Sequence, residues 1–256
     1  MSSWHQGPLV CFDLETTGVD PFRDRIVSAA VIEVGARRET RTHSWLLDPG
    51  IPIPEGASAV HGISTEFAAN NGMAAGAGVR DIARKLLDCA HAGAPVVGHN
   101  LGSYDLTMLW AECMRHGHRD HVASLEDLAA EGCVVDTFVL DKAVDTYRKG
   151  SRKLVDVAAH YGITLTEAEA HGATADALAA GRIAWVIAQR YPHLLDRTPQ
   201  SLHAWQVMEK RAQAESFGRY LRKQGKPDDV AREWPLQNPP PDWSPDQHPH
   251  PREDAA

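Results

Sequence analysis

The stretch F-D-L-E-T-T-G at Phe12–Gly18 determines how the rest of the chain is interpreted. It continues an apolar run that begins at Leu9 and is typical of a buried β-strand. Because side chains alternate along a strand, Asp13 and Glu15 lie on the same face. Two carboxylates on an otherwise apolar strand are unfavourable unless a positive charge offsets them. Divalent metal is the natural partner, and the sharp turn at Thr16, Thr17 and Gly18 predicts free backbone N–H groups nearby.

Outward from this stretch, the hydrophobic pattern predicts an α/β fold with three layers and a mixed sheet. Two further strands follow at 26–34 and 40–47, joined by a hairpin turn at 35–38. Shorter strands then alternate with helices, as in parallel βαβ units. The short strands are predicted at 95–98 and 134–135, and the helices at 79–90, 104–114, 154–161 and 174–191.

The chain divides into three predicted parts. The α/β domain covers 7–193, because Pro192 cannot continue the helix that precedes it. A C-terminal helical extension covers 198–226, with apolar residues on one stripe of an amphipathic helix. The proline-rich and acidic composition of 235–256 predicts a disordered tail, because such a segment has little apolar surface to bury.

Two more segments carry side chains suited to the same chemistry. Asp105 follows a predicted strand that exits at Gly98, so its carboxylate can reach the rim where Asp13 and Glu15 lie. Asp176 lies in the first turn of a helix and is a further candidate metal ligand. His171, just before that helix, suits a general base because its ordinary pKa is near neutrality. Carboxylates and one base are the components of two-metal phosphodiester hydrolysis, with two Mg²⁺ or Mn²⁺ ions.

These motifs arrive in a recognisable order. D-x-E at 13–15, Y-D at 104–105 and H-x-x-x-x-D at 171–176 resemble the DEDDh exonuclease family over about residues 9–191. Within it, the chain is similar to the proofreading (epsilon) subunits of bacterial DNA polymerase III and their stand-alone relatives. The resemblance implies a ribonuclease H-like fold and metal-dependent removal of nucleotides from the 3′ end of a nucleic acid. Tyr104 stands where Phe is more usual and keeps the aromatic ring.

The resemblance also implies a set of substrate-binding residues. The V-H-G-I stretch at 60–63 matches a family element that lines the pocket for the terminal nucleotide. The candidate substrate contacts are Leu14, Thr16, Thr17, His61, Gly62, Asn100 and Tyr104. From the residues alone, Asn100 is interpreted as a turn or capping residue rather than a ligand, and His99 as a group that hydrogen-bonds to core backbone.

The formal net charge of −8 argues at first against a nucleic-acid partner. However, residues 228–256 hold seven acidic residues and two arginines, so most of the negative charge lies in the tail. Two basic clusters remain in the body, at 142–153 and 209–226. Such clusters can follow a phosphate backbone, although a solvated helix face is the equally weighted alternative.

The function classes left open are few. The favoured substrate is DNA, with RNA as the alternative, since ribonucleases of the family share these catalytic residues. A recruitment module for a polymerase or repair complex and a small-molecule phosphodiesterase are the competing interpretations. No run of about 18 apolar residues predicts a membrane span, and four scattered cysteines fit a reducing, cytoplasmic location. The oligomeric state does not follow from the sequence.

Overall fold

A computed structural model describes residues 4–37, 39–165, 172–194 and 197–247. Within these residues six strands form one sheet in the order β4-β3-β2-β1-β5-β6. Strands β1, β2 and β3 form an antiparallel meander, whereas β5 and β6 run parallel to β1. The strands are β1 (Leu9–Thr16), β2 (Ile26–Val34), β3 (Thr40–Asp48), β4 (Met73–Ala74), β5 (Val96–Gly98) and β6 (Val134–Asp136).

Helices cover both faces of this sheet, which confirms the predicted three-layer α/β fold. One core joins alternate residues of β1, such as Phe12, to the helices α3, α4 and α5. The second core joins the other residues of β1, such as Cys11, to α7, α8 and the start of α9. The helices are α1 (Glu55–His61), α2 (Thr65–Asn71), α3 (Ala75–His91), α4 (Thr107–Arg115), α5 (Arg119–Glu131), α6 (Thr137–Val144), α7 (Leu154–His160), α8 (Ala173–Arg190) and α9 (Pro199–Lys223).

The approach of α8 to β1 depends on one small residue. A side-chain carbon added at Gly181 would lie 2.5 Å from the sulfur of Cys11, which is too close for any larger residue without rearrangement. Close packing at this point brings the beginning of α8 to the end of β1. The first turn of α8 and the carboxylates of β1 are thereby neighbours.

Helix α9 begins where the sequence places a helix start. The hydroxyl of Thr198 accepts a hydrogen bond from the N–H of Ser201, and Pro199 occupies the first turn. Gln206 accepts a hydrogen bond from the N–H of Asp136 and donates to the carbonyl of Val134, so the helix also satisfies the backbone of β6. The predicted C-terminal helical extension is therefore part of the packed domain, although it follows the main fold in sequence.

The described part of the predicted disordered tail, 235–247, is ordered against the domain, so this prediction is wrong there. Trp234, just before it, is 7% exposed. Gln237 donates to the carbonyl of Ser103, and the indole N–H of Trp243 donates to the carbonyl of Phe22. A few aromatic and amide anchors can hold a proline-rich segment because proline reduces the entropy that ordering removes. Residues 248–256 lie outside the described residues.

Two smaller differences concern helices. The predicted helix at 104–114 is split into a single π-helical turn, Gly102–Leu106, followed by α4. Helix α5 was not predicted, because its apolar positions are widely spaced among charged residues. None of the described helices combines the length and the apolar composition that crossing a membrane requires.

Candidate active site

Three carboxylates meet where β1 ends beside the start of α8. Asp13 and Glu15 project from the face of β1 that α8 covers, and Asp176 lies in the first turn of α8. One oxygen from each of these three side chains lies within 4.8 Å of the other two. The geometry thus brings together two predicted ligand segments that are about 160 residues apart in sequence.

Asp105 completes the group from the π-helical turn after β5. Its carboxylate is buried and accepts a hydrogen bond of 3.1 Å from the backbone N–H of Leu14, the residue between Asp13 and Glu15. Turns of this type are frequent at functional sites, because the extra residue re-aims a side chain. We refer to Asp13, Glu15, Asp105 and Asp176 as the acidic cluster.

The acidic cluster is electrostatically unfavourable on its own. Burial raises the pKa of Asp13 well above its usual range, and the charges of Asp105, Asp176 and Glu15 raise it further. Burial and the charge of Asp176 raise the pKa of Glu15 to about 7. The pKa of Asp105 is also well above its usual range, chiefly because of burial. Like charges in a partly desolvated site require a cation or protons to offset them.

The donor set fits a hard divalent cation. It consists of carboxylate oxygens, which Mg²⁺ and Mn²⁺ prefer over nitrogen or sulfur ligands. Within the described residues, Asp13, Glu15 and Asp105 form no salt bridge with a basic side chain. A bound cation would therefore supply the charge that these three side chains lack.

His171, the predicted general base, lies outside the described residues. The structure resumes at Gly172, which precedes the first residue of α8 and has an extended backbone conformation. His171 is thus four residues before the described Asp176 on a segment that leads to the acidic cluster. Its role as the base stays a prediction.

The residues on and just after β1 that were predicted to contact substrate mostly form contacts within the protein instead. The side chain of Leu14 is buried in the core, and its N–H is bonded to Asp105. The expected free N–H of Thr17 is a wrong prediction, because this group donates to the carbonyl of Arg25. The Thr17 hydroxyl donates to Asp24, so this buried residue closes the loop 17–25 rather than facing a ligand.

Tyr104 and Thr16 form a small polar group at the edge of the acidic cluster. Their hydroxyls contact each other, and both donate to the carbonyl of Gly18. Burial raises the pKa of Tyr104, so the phenol stays protonated at neutral pH. The ring is thereby fixed in orientation beside the carboxylates.

His61 and Gly62 end helix α1 close to the same strand. The ring of His61 accepts a hydrogen bond from the N–H of Ile63, and the backbone of Thr16 lies near enough to act on its pKa, which burial lowers. Gly62 has φ +75°, a left-handed conformation that favours glycine and turns the chain away. Both residues are therefore at the border of the candidate site.

Asn100 and the loop after β5 are held by the buried carboxylate of Asp136. Asn100 has a positive φ of 58°, and its N–H donates to the buried carboxylate of Asp136 at 2.9 Å. Asp136 also accepts from Gly102, as well as capping α6 through the N–H of Phe138. It lies at the carboxyl end of β6, a position that in parallel sheets signals a site residue. His99, as expected, hydrogen-bonds to backbone, at the carbonyl of Arg152.

Comparison with known proteins identifies the fold and the family. The family model for exonucleases (RNase_T) matches residues 10–184. The chain belongs to the exonuclease family. The resemblance that the three acidic motifs indicated is therefore confirmed, and the match covers β1 to most of α8. Helix α9 and the segment after it lie beyond the match.

Two curated relatives of this exonuclease chain are bacterial polymerase proteins. It is 30% identical over 174 residues to a DNA polymerase III subunit epsilon-like protein of Rhodobacter capsulatus. It is 27% identical over 178 residues to a DNA polymerase III PolC-type protein of Lacticaseibacillus paracasei. These alignments cover 66% and 70% of this chain but only 22% and 11% of the relatives.

Solved structures with the same fold include exonuclease I proteins. Exonuclease I of E. coli in complex with a dA16 oligonucleotide superposes with a TM-score of 0.63 at 21% identity, over 74% of this chain and 42% of that chain. Exonuclease I from Methylocaldum szegediense superposes with a TM-score of 0.56 at 19% identity, over 84% of this chain and 46% of that chain. At these identities the likeness concerns the ribonuclease H-like fold.

Proposed function

We propose that this exonuclease-family protein removes nucleoside monophosphates from the 3′ end of DNA in a reaction that depends on two divalent ions. The observation that carries the proposal is the convergence of Asp13, Glu15 and Asp176 within 4.8 Å, with Asp105 hydrogen-bonded beside them. A group of like charges with raised pKa values is suited to metal binding and unsuited to a purely structural role.

The members of the acidic cluster would have different roles in metal binding. Asp13 and Asp176 would hold one ion, and Asp13 together with the scissile phosphate would hold the second. Glu15 and Asp105 would complete the coordination directly or through water. When bound, such ions activate water and stabilise the departing 3′-oxygen. Mg²⁺ or Mn²⁺ is proposed from the all-carboxylate ligand set, and a solved neighbour of the same fold is a zinc-bound exonuclease I complex with single-stranded DNA.

The protein's own groups supply the proton transfer and the positioning. His171 would accept the proton of the attacking water, because a neutral imidazole is available at neutral pH. Tyr104, fixed by its contacts with Thr16 and Gly18, would pack against the terminal nucleotide. His61 and Gly62, at the border of the site, would contact the same nucleotide.

DNA is the favoured substrate because the exonuclease I neighbours contain dT13 and dA16 oligonucleotides and the curated relatives are DNA polymerase III proteins. RNA stays the alternative, since the carboxylates act on the phosphate and discrimination depends on contacts with the 2′-hydroxyl. A second candidate function, recruitment to a polymerase complex, draws support from those same relatives. It is compatible with hydrolysis.

The test is a set of hydrolysis reactions on oligonucleotides labelled at the 5′ end. DNA and RNA of the same sequence are incubated with Mg²⁺, with Mn²⁺ and with EDTA, and the products are resolved by length. We expect a metal-dependent ladder that shortens from the 3′ end, faster on DNA. A folded protein that gives no ladder with either metal would contradict the proposal and favour the recruitment function.

Variants of two histidines test the proposed base. His171→Ala should lower the rate by about 10²–10⁴-fold while metal affinity, measured by calorimetry, is kept. His91→Ala, at the exposed end of α3, is the matched control and should leave the rate unchanged. A near-normal rate in the His171 variant would show that His171 is not the general base.

A further inference from the structure

The two basic clusters noted in the sequence meet in one cavity between α6 and α9. The cavity has a volume of about 310 Å³. Lys142 comes from the cluster at 142–153, and Lys210 comes from the cluster at 209–226. We call this cavity the basic pocket, and its lining residues that matter here are Phe138, Lys142, Lys210, Gln213 and Phe217.

The two lysines of the basic pocket differ from several arginines of their clusters, which pair with carboxylates. Arg148 and Arg152 both bind the buried carboxylate of Asp141, and Arg222 binds Asp228. Within the described residues, neither Lys142 nor Lys210 has a salt bridge or hydrogen bond through its ammonium group. Both ammonium groups lie over the ring of Phe138, at 5.9 Å and 5.6 Å from its centroid.

This arrangement is costly without an anion. Burial lowers the pKa of Lys142, and the charges of Lys210 and Arg152 lower it further. Burial likewise lowers the pKa of Lys210, which the carboxylate of Asp136 partly opposes. Two partly buried like charges that share one aromatic ring repel each other, and an anion between them would relieve the repulsion.

The basic pocket lies on the same rim of the sheet as the acidic cluster. Phe138 follows the end of β6 by two residues, and the parallel strands β1, β5 and β6 have their carboxyl ends at one edge. Strand β6 is two positions from β1, roughly 10 Å at the usual strand spacing. Asp136 acts on the pKa of both Asp105 and Lys210, which also indicates that the two sites are neighbours.

Exposed aromatic rings stand beside the lysines. Phe217, which lines the pocket, is 48% exposed and stacks on Tyr220, with ring centroids 6.3 Å apart and an interplanar angle of 15°. Exposed rings next to unpaired cations are the combination that binds single-stranded nucleic acid, because bases stack on the rings and phosphates pair with the cations. A folded duplex would not present its base faces in this way.

We propose that the basic pocket is an upstream subsite for single-stranded nucleic acid, in which Lys142 and Lys210 bind a backbone phosphate and Phe217 stacks on an adjacent base. The inference rests on the proposed exonuclease function, since it takes the strand from the acidic cluster to the pocket. The subsite is formed by α6, inside the residues matched by the family model, and by α9, outside them. Its half on α9 would therefore be a feature of this chain's extension.

The test measures binding separately from hydrolysis. A dye-labelled dT16 oligonucleotide is titrated into full-length protein carrying Asp13→Asn, with and without the pair Lys142→Gln and Lys210→Gln. We expect affinity at low salt to fall roughly tenfold, and the slope of log K against log salt to decrease by about 0.7, the value for one phosphate of a single strand. The pair Lys149→Gln and Lys226→Gln, two exposed lysines, removes the same charge and should change the slope much less.

An aromatic variant separates stacking from charge. Phe217→Ala should lower the affinity by about tenfold and leave the salt slope unchanged, because no cation is removed. Tyr147→Ala, at a residue that is 94% exposed elsewhere, is the control and should have no effect. Thermal unfolding of each variant establishes that it is folded.

A small substrate distinguishes the two proposals. The p-nitrophenyl ester of thymidine 5′-monophosphate reaches the acidic cluster but not the basic pocket, so the lysine pair in the otherwise wild-type protein should hydrolyse it at the normal rate. Lysine-dependent binding without any hydrolysis would contradict the proposed function and keep the subsite. Equal affinities of the Lys142/Lys210 and Lys149/Lys226 variants, or no binding at all, would overturn the subsite.

Discussion

Two clusters of charged side chains adjoin the loop 17–25, and the neighbouring charges shift their carboxylate pKa values in opposite directions. In the acidic cluster, burial and neighbouring carboxylates raise the pKa values of Asp13 and Glu15. In the second group, which we call the salt-bridge cluster, Glu112 is fully buried beside Arg25, Arg115 and His116. Burial alone would raise the pKa of Glu112, but these neighbours lower it.

The difference distinguishes the proposed metal site from a cluster with a structural role. The charge of Glu112 is neutralised by arginines of the protein itself, and Arg115 also donates to the backbone carbonyls of Phe22 and Asp24 in the loop. Within the described residues, Asp13, Glu15 and Asp105 have no basic side chain paired with their carboxylates, so a bound cation would supply the missing charge. Degree of burial is therefore a poor guide to role, whereas the sign of the surrounding charge is a good one.

The largest effect expected from this comparison is on activity. Asp13→Asn keeps the shape of the side chain but removes the charge that both proposed metal ions share, so hydrolysis should fall by at least about 10³-fold. The initial rate on the 5′-labelled DNA oligonucleotide measures it. Asp156→Asn, at an exposed position of α7, is the control for loss of one acidic residue. Activity within a few-fold of normal would mean that Asp13 is not a shared ligand.

The salt-bridge cluster should show the next largest effect, on stability instead of chemistry. Glu112→Gln leaves Arg25 and Arg115 buried without their carboxylate, which we expect to cost about 3–5 kcal/mol of unfolding free energy. The midpoint and slope of guanidinium unfolding measure this cost. Glu131→Gln, at the exposed end of α5, should change it by less than about 0.5 kcal/mol. If both variants have the same unfolding free energy, the salt-bridge cluster contributes little to stability.

In the acidic cluster, by contrast, removing one carboxylate should stabilise the protein when no metal is present. Glu15→Gln should stabilise the protein in EDTA by roughly 2 kcal/mol at neutral pH, because an amide cannot ionise in the repulsive site. The pKa of Glu15 is raised in the folded state, so ionisation costs stability as pH rises from about 4.5 to about 7. The advantage of the variant should thus be absent near pH 4 and constant above pH 7.

Unfolding midpoints across this pH range provide the measurement. Glu66→Gln, at an exposed residue of α2, should show no such pH dependence. Saturating Mg²⁺ or Mn²⁺ should stabilise the wild type more than the Glu15 variant, since ligand binding favours the folded state that holds it. A pH-independent difference would mean that neither burial nor the charge of Asp176 raises the pKa of Glu15 in the folded protein.

Local patterns in the sequence were enough to predict the half of the acidic cluster that lies on one strand. The alternation from Leu9 to Glu15 places Asp13 and Glu15 on one face, and the structure has this arrangement. The same reasoning predicted the strands β1, β2, β3, β5 and β6, the hairpin and the helices α3, α8 and α9, but not the two-residue strand β4. The acidic residue Asp176 followed from its position at the start of α8.

The features that could not be predicted depend on contacts between distant segments. The π-helical turn that aims Asp105 at Leu14 needs a hydrogen bond across 91 residues. Both the pairing of Glu112 with Arg25 and the meeting of Lys142 with Lys210 join helices and loops far apart in the chain. The average composition of the segment 235–247 predicted disorder, but it does not reveal the few side chains that hold the segment against the domain.

The smallest expected effect concerns one of those anchors. Gln237 donates through its side chain to the carbonyl of Ser103, in the π-helical turn that carries Asp105, and through its N–H to the hydroxyl of Thr107. Gln237→Ala removes the first bond and keeps the second, so it should cost about 1 kcal/mol of stability. Gln224→Ala, at an exposed residue after α9, is the control and should be neutral.

A larger change in hydrolysis than in stability would sharpen the contrast between the two charge clusters. It would indicate that the segment 235–247 also helps to position the turn that carries Asp105, as the salt-bridge cluster holds the loop 17–25. Guanidinium unfolding and the rate on the 5′-labelled oligonucleotide, measured on the same preparation, distinguish these outcomes. If neither quantity changes, the contact with Ser103 is not maintained in solution, and the acidic cluster relies on β1 and α8 alone for its geometry.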